Sequence, residues 1–168
     1  MKGLWLTSKG DIEQDLNPNR FITKTNQLLY CNGTTYLIPR NTITDGYTIP
    51  FGINKTKWDI RPASLHDIGC RYHSVIIVDL PLNEIYEKFL ELDDTKTICK
   101  DIPKEYLRIK SLTFNQVNDL LLYGMDCLKS IPKFITELYR TAVNLNLKYP
   151  FNKYKLDITI LYNNKLYT

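Results

Sequence analysis

Residues 27–38 constrain the fold of this chain more than any other segment. Two runs rich in apolar and β-branched residues, 27–30 and 34–38, flank the dipeptide Asn32-Gly33. Asn and Gly tolerate positive φ, and a type I′ turn needs positive φ at both of its central residues. The segment therefore predicts a β-hairpin, and Pro39 is expected to end its second strand or to keep it at a sheet edge.

Helical spacing of apolar residues predicts four helices in the later part of the chain. The first begins near Pro62 and the second near Pro81, since proline suits a first helical turn, where its missing N–H would have no partner. Thr113 and Gln116 form a capping box that starts the third helix, and Pro132 precedes the fourth. The predicted apolar stripes are Leu65, Ile68, Gly69 and Tyr72; Leu82, Ile85, Tyr86 and Phe89; Phe114, Val117, Leu121, Met125 and Leu128; and Phe134, Ile135, Leu138, Ala142 and Leu145.

The remaining segments complete the predicted architecture. Residues 41–51 suggest an extended segment and 75–80 a strand or a buried connection, whereas the charged stretch 93–112, broken by a proline, suggests a loop. Residues 155–168 alternate around Asn163-Asn164 and suggest a terminal hairpin whose edge could pair with a partner's sheet. We expect one α+β domain over residues 1–168, with its core at about 20–146: a small antiparallel sheet with N-terminal and C-terminal hairpins, packed on about four helices.

Composition argues against several classes of protein. The net charge is only +4, and the lysines are scattered, whereas nucleic-acid-binding proteins concentrate a basic face. The 12 tyrosines suit half-exposed surfaces and protein contacts, but an AT-rich genome, which would also explain the abundant Lys, Asn and Ile, is the favoured explanation. Neither a membrane span nor an export signal is predicted, so we expect a protein made in the cytoplasm with reduced thiols. The four cysteines are Cys31, Cys70, Cys99 and Cys127.

Two motifs occur in order along the chain. They are Thr44-Asp45-Gly46-Tyr47-Thr48-Ile49-Pro50 and Leu65-His66-Asp67-Ile68-Gly69-Cys70-Arg71. The ordered pair resembles a phage-associated family of unknown function (domain-of-unknown-function family number thirteen fifty-three), whose members carry T-D-x-x-S-(I/V)-P and H-D-x-x-Y-R. Thr48 stands at the position of the family's Ser, and Cys70 replaces its Tyr. The resemblance spans roughly residues 20–146.

The resemblance implies a bacteriophage protein made in the cytoplasm of the bacterial host. Family members tend to be encoded among phage structural and lysis genes. That setting implies a role in the virion, for example in its tail or neck, or a role at the bacterial cell wall. The partners would then be other phage proteins or host proteins.

The polar residues of the two motifs are candidates for acid–base or metal chemistry. Asp45, His66 and Asp67 are predicted as catalytic residues, and Thr48 and Arg71 as members of the same polar cluster. A divalent metal such as zinc could be held by Asp45 and His66 together with Asp119, or with His73. The alternative is a structural cluster, in which Asp45 and His66 hydrogen-bond and Asp67 pairs with Arg71, four residues on.

Two other arrangements of His66 remain open. His66, Cys70 and His73 lie on one predicted helical face and could hold a soft metal. Cysteine-histidine catalysis would need a thiol near His66, for which Cys31 in the hairpin turn is the candidate. No G-x-S-x-G motif or glycine-rich phosphate loop is present, so a serine hydrolase or nucleotide hydrolase is not expected.

Three functions follow from these patterns as hypotheses. The first is a phage accessory or virion protein, associated with the tail or neck, that acts through protein contacts. The second is a metal-assisted hydrolase, directed at peptidoglycan, with its site at Asp45, His66 and Asp67. The third is an inhibitor of a host protein.

Overall fold

A computed structural model describes residues 3–46, 59–144 and 154–168. These residues form four α-helices and eleven β-strands, which confirms the predicted α+β class. The helices are α1 (Arg61–Tyr72), α2 (Leu82–Phe89), α3 (Phe114–Asp126) and α4 (Lys133–Asn144). The strands are β1 (Leu4–Trp5), β2 (Ile12–Gln14), β3 (Phe21–Thr23), β4 (Gln27–Cys31), β5 (Thr34–Ile38), β6 (Thr42–Thr44), β7 (Ser74–Val78), β8 (Leu90–Asp93), β9 (Lys96–Cys99), β10 (Leu107–Ser111) and β11 (Leu166–Tyr167).

The predicted hairpin is the centre of the larger sheet. Strands β4 and β5 pair antiparallel, and Asn32 and Gly33 between them have φ angles of 49° and 77°. Both values are positive, as the predicted type I′ turn requires. The five-stranded sheet has the order β1-β4-β5-β7-β10, and all of its neighbouring strands are antiparallel.

A second, four-stranded sheet has the order β11-β6-β3-β2. Strand β11, the last strand of the chain, shows that the predicted C-terminal hairpin is wrong. Residues 158–160 form a short 3-10 helix, and β11 runs parallel to β6 instead of turning back on a neighbouring segment of the tail. The tail also places Leu156, Leu161 and Leu166 in the main core, so it packs on its own chain.

The predicted loop at 93–112 is also wrong. Strands β8 and β9 form a hairpin there, and β10 is an edge strand of the five-stranded sheet. In β10 only Leu107 is fully buried. An edge strand carries charged residues on its exposed positions, and those charges made the segment look like a loop.

Helices α1 and α3 pack closely together, and α1 also contacts β5, β6 and β7. A glycine sets the approach of the two helices. A Cβ atom at Gly69 would lie 2.8 Å from both methyl carbons of Val117 on α3, which is closer than real Cβ contacts. Gly69 therefore allows the polar residues of α1 to reach those of α3.

The apolar face of α4 differs from the prediction. Ile135, Thr136 and Tyr139 are buried in a second hydrophobic cluster with residues of α3. Phe134 and Leu138, predicted to be buried, are 69% and 37% exposed. The buried face is thus rotated by about one residue, or roughly 100° around the helix.

None of the helices in the described ranges is both long and apolar enough to cross a membrane.

Candidate functional site

The two sequence motifs meet where β6 ends beside α1. Thr44, the last residue of β6, donates a hydrogen bond from its hydroxyl to Asp67 Oδ2 at 2.5 Å. The backbone N–H of Gly46 donates to the same Thr44 oxygen at 3.1 Å, and Gly46 has a φ of 73°, which glycine adopts without strain. Thr44 therefore ties the first motif to the carboxylate of the second. Asp45 lies half-buried between Thr44 and Gly46, while Thr48 lies outside the described residues.

His66 is held from the opposite side by α3. Its Nε2 atom lies 3.1 Å from Oδ1 of Asn118, which is 6% exposed. An amide oxygen only accepts hydrogen bonds, so Nε2 carries a hydrogen and donates it. The contact fixes the orientation of the imidazole, because Asn118 is anchored in a helix that packs directly on α1.

The rest of the His66 ring faces two groups of its own helix. Cys70 Sγ, one turn further on, lies 3.5 Å from Nε2 and 3.8 Å from Nδ1. Asp67 Oδ1 lies 3.9 Å from Nδ1. The His66 and Asp67 side chains are 12% and 21% exposed, so both are largely removed from water. We call Thr44, His66, Asp67, Cys70 and Asn118 the His66 cluster.

The charge state of His66 follows from these neighbours. Burial by itself lowers the pKa of the imidazole, because it removes the charged form from water. The hydrogen bonds and negative charge of Asp67 and Cys70 outweigh burial and raise the pKa of His66 from 6.5 to about 10. His66 is therefore an imidazolium at neutral pH and can donate a proton.

The predicted three-ligand metal site is not assembled among the described residues. Asp119 follows Asn118 on α3 but lines a separate cavity of about 230 Å³, together with Tyr36 and Lys110. Within the described ranges, no group of three or more His, Cys, Asp and Glu side chains is placed to hold a metal ion.

The second predicted ligand set, His66, Cys70 and His73, is likewise not formed as a metal site. His66 and Cys70 do lie together, as their spacing predicted. His73, however, caps the end of α1 with a φ of 49°, so it has left the helical face that the other two share.

Two predicted side-chain contacts of the site are wrong. The predicted ion pair of Asp67 with Arg71 does not form, because Asp67 bonds to Thr44 and the Arg71 guanidinium lies over the ring of Tyr154, 4.4 Å from its centre. The thiol beside His66 is Cys70, whereas Cys31 is buried in the main core at the end of β4.

Asn118 is the member of the cluster that sequence reasoning missed. It lies on the buried side of α3, between Val117 and Leu121, where an amide interrupts an otherwise apolar face. A buried amide needs a hydrogen-bond partner. An Asn on the apolar face of a predicted helix therefore indicates a polar partner on the element that faces it.

The arrangement joins a proton donor, a carboxylate and a thiol at the junction of β6, α1 and α3. No model of a known protein family, no curated protein and no solved structure matches the chain. The resemblance to the phage-associated family therefore stays a prediction.

Proposed function

We propose that the protein is a hydrolase of ester or amide bonds in which His66 transfers the proton to the leaving group. The observation that supports this proposal is the fixed imidazole, held at Nε2 by Asn118 and flanked at Nδ1 by Asp67. The sequence predicted a metal-assisted hydrolase as one of three functions. The present proposal keeps the hydrolase but assigns no metal to its site. Its link to peptidoglycan rests on the family resemblance alone.

Each member of the cluster has a task in this proposal. Asp67 stabilises the charged imidazole, and Thr44 fixes Asp67 by donating to its other oxygen. Asn118 orients the ring, which a general acid requires because proton transfer depends on position as well as on pKa. The His66 and Asp67 side chains are 12% and 21% exposed, and a substrate would have to bind at these exposed parts.

Replacing His66 with Gln is expected to lower the rate of hydrolysis by about 10²–10⁴-fold, the usual contribution of a positioned acid or base. Gln keeps a hydrogen-bond donor for Asn118 but cannot donate a proton. The substrate is ethyl butyrate, whose poor leaving group needs protonation, and acid release is followed by pH-stat titration at neutral pH.

His73→Asn is the matched control, because His66 and His73 are the two histidines of the chain and Asn tolerates the positive φ at residue 73. The control should hydrolyse the ester at the wild-type rate. Equal rates for the wild type and His66→Gln, or no hydrolysis above buffer by the wild type, would contradict the proposal.

A second proposal is the function in protein contacts, as a phage accessory or virion protein. The observation that favours it is the apolar pair Phe134 and Leu138, which lie four residues apart on α4 and are both exposed. Neighbouring exposed apolar side chains are one component of surfaces that meet another protein. Mass spectrometry of purified phage particles tests this proposal. We expect to detect the protein in the particle, and its absence from the particle would contradict the proposal.

A further inference from the structure

Cys70 differs from Cys99 and Cys127 in what its sulfur contacts. Cys99 donates from its thiol to the carbonyl oxygen of Lys100 at 3.2 Å, and Cys127 donates to that of Tyr123 at 2.9 Å. Only a protonated thiol can make these bonds. Cys70 instead lies beside the charged imidazole of His66, with Sγ 3.5 Å from Nε2 and 3.8 Å from Nδ1, so the charge of the ring faces the sulfur.

Burial also affects the pKa values of the other three thiols. It raises the pKa of Cys31, raises that of Cys99 to about 12 and raises that of Cys127 to about 11. These thiols remain protonated and unreactive at neutral pH, because the thiolate is the nucleophile.

We propose that Cys70 is the nucleophile of the His66 cluster and forms a thioester with the acyl group of the substrate. The inference rests on the proposed hydrolase function and adds to it the group that attacks. The geometry that carries it is the approach of Sγ to the ring that Asn118 holds in place, from a position one helical turn away. Activated cysteines are found beside a histidine in this way.

The reaction needs only Cys70, His66, the ester substrate and water. With the proton of the pair on His66, the Cys70 thiolate attacks the carbonyl carbon to form a carbon–sulfur bond. The carbon–oxygen bond of the ester then breaks, and His66 gives its proton to the departing alcohol. Water next attacks the thioester and passes a proton to His66, so that the acid leaves and Cys70 is a thiolate again.

Labelling of the wild-type protein with iodoacetamide at neutral pH tests the inference without any substitution. Mass spectrometry identifies the labelled cysteine. Cys70 is 9% exposed and Cys127 is only half-buried, so accessibility alone would label Cys127 first. We expect the reverse order. In His66→Gln, Cys70 should label at least about tenfold more slowly while the rate at Cys127 is unchanged.

Labelling of Cys127 before Cys70, or a Cys70 rate that does not depend on His66, would overturn the inference. Hydrolysis of ethyl butyrate by Cys70→Ala separates it from the proposed function. If His66→Gln is inactive but Cys70→Ala retains the wild-type rate, water is the nucleophile, and the inference about Cys70 alone fails. If His66→Gln is fully active, the proposed function fails as well.

Discussion

Replacing Arg61 with Met is expected to lower the free energy of unfolding by about 3–5 kcal/mol, because it removes the guanidinium that neutralises the buried carboxylate of Asp59. Two guanidinium nitrogens of Arg61 bond to Asp59, the shortest at 2.7 Å, and the third donates to the backbone oxygen of Thr7 at 2.6 Å. The guanidinium also lies 4.7 Å from the ring centre of Trp5. The two side chains are only 9% and 5% exposed, so water cannot replace the lost contacts.

Lys24→Met is the matched control for this prediction. Lys24 and Glu13 are 2.6 Å apart, closer than Arg61 and Asp59, but their side chains are 44% and 58% exposed. An exposed pair contributes little to stability, because water and salt screen its charges. The double variant Asp59→Ala with Arg61→Met should recover much of the loss, since it removes both buried charges of the pair. Guanidinium unfolding followed by circular dichroism measures all three, and a loss below about 1 kcal/mol in Arg61→Met would refute the account of this pair.

The second large effect is a loss of stability as the pH rises. The pKa of His66 is about 10 in the folded chain, against its ordinary value of 6.5. The folded state thus keeps a proton that the unfolded chain releases between these values, so the stabilisation is complete below about 6.5 and is lost as the pH rises through about 10. The wild type should lose on the order of 3–5 kcal/mol of unfolding free energy over this range, at 1.36 kcal/mol per pKa unit.

His66→Gln should show a much flatter pH dependence, because it lacks the titrating ring. Among the residues that the structure describes, the groups that face His66 are Asp67 and Cys70 from its own helix and the neutral Asn118 from α3, with Thr44 of β6 bound behind Asp67. Subtracting the profile of the variant removes the contribution of groups elsewhere in the chain. Parallel profiles for the wild type and the variant would show that His66 is not held in its charged form.

Local chemistry made some parts of the fold predictable. The Asn32-Gly33 turn and the Thr113–Gln116 capping box each depend on residues close in sequence, and both are confirmed. The pairing of β11 with β6 joins segments more than 120 residues apart, as does the bond from Thr168 to the Ile43 carbonyl. Alternation within the tail contains no information about such a distant partner.

The site was predictable to a similar extent. Asp45, His66 and Asp67 were singled out by residue type, and the structure joins their two motifs through Thr44. The contact of His66 with Asn118 was not predictable, because it depends on the register of α1 against α3. That register is set by the fit of Val117 against Gly69, which is a property of the packed helices.

The most direct test of the central claim is an NMR titration of the His66 ring, with His66→Gln and His73→Asn used to assign the two imidazole signals. We expect a titration midpoint near 10, because Asp67 and Cys70 hold the ring in its charged form. A midpoint at or below the ordinary value of 6.5 would contradict it, since His66 would then be neutral at physiological pH and could not serve as the proton donor.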